Sequence, residues 1–312
     1  MKRIILVLAT VLFTVGMMSA QDLSSAVEAY NNGAEALSVG DKTTALTSFK
    51  KALSIAQACG KDGEEVIANC KNAIPGVILS IGKELYNNKD FDGAMLKVKE
   101  ALSVAKEYGK ADVEKEATEL LPQISIMKDM TAANSAFDAK NFVAAADSYK
   151  KVIAADSTNA VAALRIIQCL SSTGDLEGAK PYIKIAEANG QGDNAKKVLG
   201  TAFLKKAAGN LKAGKFEEAV NQALESCEYA VTPQAYLIAG QASTKLKKNA
   251  EAIKNFEKYL ELMPKAKNAG AIALTIGALY QGQKNNAKAL EFYKKAQEAG
   301  VDAKAYIDAL SK

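Results

Sequence analysis

An all-α fold, a right-handed superhelix of about seven helix–turn–helix units, follows from three observations taken together. Nearly the same ten residues occur twice, as "ALSIAQACGK" from Ala52 and "ALSVAKEYGK" from Ala101, and self-similarity at a fixed period is the mark of a repeat array. The composition favours helix: Ala and Lys are abundant, Trp is absent and the 312 residues include five Pro. No stretch alternates apolar and polar residues with strand period for any useful length.

Residues 1–20, "MKRIILVLATVLFTVGMMSA", have a basic start, an apolar stretch and small residues at Ser19-Ala20. This is the layout of a secretory signal peptide cut after Ala20. The apolar run is shorter than the roughly 20 residues a span needs. An exported, periplasmic or secreted chain that does not span a membrane after cleavage is expected. Residues 21–312 then form the array.

The unit is cleanest near the C-terminus. In "AYLIAGQASTKLKKNAEAIKNFEKYLELMP", Gly240 is followed by Ala252 twelve residues on, Phe256 after four more, Tyr259 after three and Pro264 after five. A small residue on each of two facing helices lets the axes approach closely, and an aromatic one turn later fills the groove alongside. In chain order the same marks fall at Gly33, Ala45, Phe49 and Ala52, then at Gly82, Ala94, Val98 and Ala101, then at Ala133, Ala145, Tyr149 and Val152. The fourth unit departs at Ile167, where a small residue is expected, but keeps Gly174, Ala179 and Ala186. The fifth has Ala207, Gly214, Ala219, Ala223 and Ser226; the seventh has Gly277, Ala289, Tyr293 and Ala296. The units lie near 26–59, 75–108, 126–159, 160–193, 200–233, 233–266 and 270–303, with a capping helix over 301–311. Extra residues after the first two units ("GKDGEEVIANCKNAIP" and "GKADVEKEATELLP") are helical in pattern. They are expected to elongate the first helix of the next unit, kinked or broken near Pro75 and Pro122.

These residues and spacings resemble the tetratricopeptide repeat family, over roughly residues 26–299, nearly the whole of the mature chain. The resemblance implies a solenoid whose first helices line an inner face that binds an extended peptide or helix. Some members clamp a C-terminal carboxylate with Lys, Asn and Arg. Where the leading lysine would fall, this chain has Tyr30, Leu79, Met130, Leu164, Leu204, Leu237 and Leu274, so that clamp is disfavoured. One helical turn further along come Leu37, Tyr86, Phe137, Ser171, Leu211, Thr244 and Gln281. A partner-binding groove is therefore expected over Leu79, Tyr86, Met130, Asn134, Phe137, Leu164 and Gln168. The competing expectation is internal packing, the commoner fate of apolar residues at helical spacing.

Little chemistry is on offer. The chain has no histidine, the commonest general base and metal ligand, so no catalytic residue, metal site or cofactor is assigned. "GNLKAGKF" has Gly209, Gly214 and Lys215 at phosphate-loop spacing, but Phe216 stands where Ser or Thr must reach magnesium. "NGQGDN" from Asn189 reads as a turn. Export permits disulfides. Cys59 and Cys70 flank "GKDGEE" and would pair if two helices fold back there; burial of all four cysteines as small apolar residues is preferred.

The formal charge is +5, and removing Lys2 and Arg3 from 40 basic residues leaves 38 against 35 acidic. The charges are interleaved, as on solvated helix faces. Arg165 is the one arginine after Arg3, and arginine is the preferred reader of phosphates and bases, so nucleic acid is not an expected partner. The expected function is a non-catalytic protein-interaction scaffold of the cell envelope that binds a protein or peptide. Alternatives are a self-associating structural component and a helper of glycan uptake.

Overall fold

The computed structural model describes the backbone of residues 19–311, with side chains from Asp22 onwards. The leader read over residues 1–20 therefore lies, apart from the backbone of its last two residues, outside the described residues. Among the described residues there is no strand, and no helix is long and apolar enough to cross a membrane. The chain divides into two units, residues up to Lys128 and residues from Asp129 on.

The first unit contains α1 (Ser19–Ser38), α2 (Lys42–Ala58), α3 (Glu64–Asn87), α4 (Phe91–Glu107) and the first part of α5 (Ala111–Asp138). Helix α1 packs on α2, α2 on α3 and α3 on α4. The small residues sit where the helices meet: Ala45, Ala52, Ala94 and Ala101 are wholly buried. Helix α3 runs unbroken through Pro75, and α5 through Pro122. Of the kink or break expected near each proline, the break does not occur. A mid-helix proline withholds one N–H from the carbonyl four residues back, but Cys70, Ile74, Val77 and Ile78 keep one apolar stripe buried across that point. The elongation expected from the insertions is present, and it sets the start of α3 at Glu64 and of α5 at Ala111, ahead of the boundaries read at 75 and 126.

The second unit continues with α6 (Phe142–Ala155), α7 (Ala160–Thr173), α8 (Leu176–Ala179), α9 (Pro181–Ala188), α10 (Gly192–Lys212) and α11 (Phe216–Tyr229). It ends with α12 (Pro233–Lys245), α13 (Asn249–Leu262), α14 (Ala269–Gly282), α15 (Asn286–Glu298) and α16 (Lys304–Leu310). From α10 to α16 each helix packs on the next. Two departures from the sequence reading appear. The second helix of the fourth pair is split at Lys180, because Pro181 starts a new helix at its first position, where a missing N–H costs nothing. Helix α10 begins at Gly192, so the fifth pair also has an elongated first helix. The turn expected at "NGQGDN" occupies Asn189–Gln191, with Gly190 at φ 78.

The close approach is visible at Gly240 and Gly277. A Cβ there would lie 2.6 Å from the ring of Phe256 or of Tyr293, respectively, well inside van der Waals contact. The turns within pairs share one left-handed residue, glycine at Gly40, Gly174 and Gly214 but lysine at Lys89, Lys140, Lys247 and Lys284, with φ between 59 and 63. Asp41, Asp90, Asn141, Asp175 and Asn285 then cap the following helix, each accepting from the backbone N–H three residues on. That bond satisfies an orphan donor of the first turn.

The C-terminal cap is partial. Ala303 is buried, and Val301, Ile307 and Leu310 pack on the cluster built around Tyr293. Tyr306 stays 46% exposed while stacking on Tyr293 at 4.9 Å between ring centres.

Candidate functional site

The residues expected to form one groove meet different fates. In the first unit Leu79 is 2% exposed and belongs to the core; its place is internal packing rather than a free surface. Tyr86 is half-buried and sets its ring edge-on to Phe91, 6.0 Å away.

In the second unit Met130, Phe137, Leu164 and Gln168 are half-buried. Phe137 meets Phe142 edge-on at 5.6 Å, and the Arg165 guanidinium lies over its face at 4.4 Å. Arg165 also donates to Gln168 Oε1 at 3.1 Å. Asn134 is exposed, but its Oδ1 accepts a 2.6 Å bond from the Tyr149 hydroxyl. Tyr149 is itself fully buried, and burial raises its pKa. Arg165 thus ties Phe137 to Gln168, and Asn134 is held by the same pair of helices that holds Tyr149.

Beyond that cluster, first helices of the second unit border two clefts. One, of about 580 Å³, lies between α7 and α10; it reaches from Gln168 and Ser171 to Thr201, Lys205 and Lys206, with Leu176 and Val198 as apolar lining. The other, of about 520 Å³, involves α10, α12 and α14, with Lys212, Gln241, Thr244, Lys245 and Thr275 around Leu211 and Phe216. No Asp or Glu lines either cleft. A third cleft, of about 600 Å³, lies by α13–α15 and mixes Glu257, Glu261 and Glu291 with Lys288 and Lys295.

All four cysteines are free thiols. Cys59 is half-buried, its Sγ donating to Ile55 O at 3.4 Å. Cys70 is wholly buried, and burial pushes its pKa up to about 12. Cys169 is also buried, and its pKa rises to about 11 for the same reason, opposed by Arg165. Such thiols pack as small apolar groups at neutral pH.

The paired helices, with a small residue at each close approach, agree with the comparison of sequences. The pattern described as "Tetratricopeptide repeat" matches residues 136–199 and again residues 233–265. The chain carries tetratricopeptide repeats. No match to a curated protein was found. Among solved structures, the chain is similar to a crystal structure of MamA protein at 22% identity, covering 56% of this chain and 91% of that one with a TM-score of 0.33. It is also similar to a structure titled as the functional characterization of Pseudomonas aeruginosa pilF, at 18% identity, covering 57% and 78% with a TM-score of 0.29.

Within the tetratricopeptide pairs of the second unit, the cleft lysines are what sequence reading passed over. Lys205 and Lys212 follow Leu204 and Leu211, which do stand on the inner stripe read from sequence. Residues seven apart share a face of a helix, so a Lys–Lys stripe on α10 was the available signal.

Proposed function

We propose that the chain is an exported, non-catalytic protein-interaction scaffold of the cell envelope, docking a protein or peptide on the face bordered by its first helices. The observation that carries the reading is the pair of clefts at α7/α10 and α10/α12/α14. Together they offer apolar floor, hydroxyls, amides and unneutralised lysines, the mixture that lets a surface hold backbone and side chains of a peptide. The sequence supplies the rest of the argument: no histidine is available for acid–base chemistry, and the first 20 residues have the layout of an export signal.

The test places a photocrosslinking amino acid at Thr201 and Gln241, on first helices, and separately at Lys254 and Lys294, on second helices. Mass spectrometry identifies what each captures in the producing cell. A defined protein captured from Thr201 and Gln241 and missed from Lys254 and Lys294 supports the scaffold reading. Capture from the second helices alone moves the interface, and adducts of the chain with itself alone replace docking by self-assembly. N-terminal sequencing of the mature protein, expected to begin at Gln21, tests export.

A further inference from the structure

The charge around the two clefts sets them apart from other lysine-bearing surfaces of the molecule. Lys42, Lys83, Lys150, Lys180, Lys248 and Lys295, among others, stand within ion-pair distance of a carboxylate. In the clefts Lys205, Lys206, Lys212 and Lys245 are all exposed and, among the described residues, none pairs with a carboxylate. Lys206 donates at 3.5 Å to the carbonyl of Gly174, which leaves its charge uncompensated. Four positive charges and no negative one therefore border the clefts of a chain whose charges are otherwise nearly balanced.

The clefts are joined along α10. Lys205 and Lys212 are seven residues apart, about 10 Å along the axis and on one face. The Lys205 cleft holds one further unmet group: the Ser171 hydroxyl oxygen is buried without a hydrogen-bond partner. Between the lysines lie Leu176, Val198, Leu211, Phe216 and Ile272.

Resting on the scaffold reading above, we infer that this face takes an extended acidic segment of a partner protein, with Asp or Glu side chains alternating with apolar ones. The carboxylates meet Lys205, Lys206, Lys212 and Lys245, and the apolar side chains enter the cleft floors. An extended chain repeats each side about every two residues, roughly 6–7 Å, which places several carboxylates within reach of the α10 lysines. Lysine meets a carboxylate as a point charge and requires no planar fork. The recognised charges are side chains, so a free C-terminus is not required.

The test is fluorescence anisotropy on the full mature chain. The probe is a labelled, N-acetylated, C-amidated decapeptide of alternating Glu and Leu. Its partners are the same peptide with Gln for Glu, and an oligothymidylate of equal charge. The acidic peptide should bind, with affinity falling as salt screens the contact, and the Gln peptide should bind at least about tenfold more weakly, a difference of about 1.4 kcal/mol. Lys205→Glu/Lys245→Glu should weaken the acidic peptide by a similar factor. Lys254→Glu/Lys294→Glu, equal in charge change but on second helices, should leave it within about twofold, since long-range charge is screened at physiological salt. All four positions are exposed, and circular dichroism checks that each variant keeps its helicity.

Failure of the amidated acidic peptide to bind overturns the inference. So does equal weakening by both double variants, or oligothymidylate binding as tightly with the same dependence on Lys205 and Lys245. If photocrosslinking at Thr201 still captures a partner while the acidic peptide fails, the scaffold reading stands and this inference alone falls.

Discussion

Replacing Gly277 by Ala on α14, and Gly209 by Ala on α10, separates helix–helix approach from helix propensity. Ala is the better helix former by about 1 kcal/mol, and a Cβ at Gly209 has nothing within 4 Å. Gly209→Ala should therefore stabilise its surroundings by about 1 kcal/mol. At Gly277 the same Cβ falls 2.6 Å from two ring carbons of Tyr293, about 1 Å inside ordinary contact. The ring has little room to yield: Tyr293 is fully buried, donates to Gln281 Oε1 at 2.6 Å and stacks on Tyr306. Overpacking of that kind costs about 1–3 kcal/mol. The propensity gain is common to both sites, so the difference between the two variants should equal the clash alone, about 1–3 kcal/mol. Hydrogen exchange read by mass spectrometry, over peptides covering α14–α15 and α10–α11, gives the opening free energy locally. Local readout matters because an array need not unfold in one step. Equal stabilisation at both positions would show that the helices are not held at contact distance by the missing side chain.

Three further outcomes are expected. Lys284→Gly relieves a left-handed lysine at φ 61 and should raise the urea midpoint by an amount worth up to about 1 kcal/mol, less the entropy glycine adds to the unfolded chain. Asn141→Ala removes the 3.3 Å cap bond to the Ala144 N–H and should cost about 1 kcal/mol in the same titration, whereas Lys215→Asp, which supplies a cap where α11 has none, should gain a similar amount. The pKa of Cys70 is raised from 9.0 to about 12 by burial, so the folded state holds that proton more tightly than the unfolded one. Its contribution is fully present below about pH 9 and is lost as pH rises towards 12. Stability measured between pH 8 and pH 11 should fall, and should fall less steeply in Cys70→Ala.

Much of the fold was legible because the repeat is written in steric terms. Positions such as Ala45, Ala94, Ala219 and Ala289 are wholly buried where two helix axes come close, and few residues other than Ala, Gly or Ser fit there. Local reasoning left a kink and a break as alternatives at Pro75 and Pro122, and there the helices run on unbroken. A proline reads as a stop when its local cost is considered, but a stripe of buried side chains on both sides holds α3 together. The split at Lys180 occurs although Leu176, Ala179, Ile183 and Ala186 keep a buried stripe across it; Pro181 lies where it can open a helix. Exposure of the expected groove was not legible, because one apolar spacing serves both a core and a surface. Leu79 and Tyr86 occupy equivalent faces in sequence, yet one is sealed and the other only half-covered. The basic clefts depend on which carboxylates are out of reach of Lys205 and Lys245, a matter of neighbours distant in sequence.

Packing of each helix on the next from α10 to α16 also has a mechanical consequence. Apart from α10 touching α12, the helices of this stretch pack on their immediate neighbours, so a pull applied along the chain should peel one pair away before loading the next. In an optical trap this stretch should yield as a run of small extensions. The α12–α13 pair, Pro233–Leu262, would release roughly 100 Å of slack at about 3.3–3.6 Å per residue. The stretch would then serve as a compliant tether, lengthening under load while the pairs not yet reached keep their clefts.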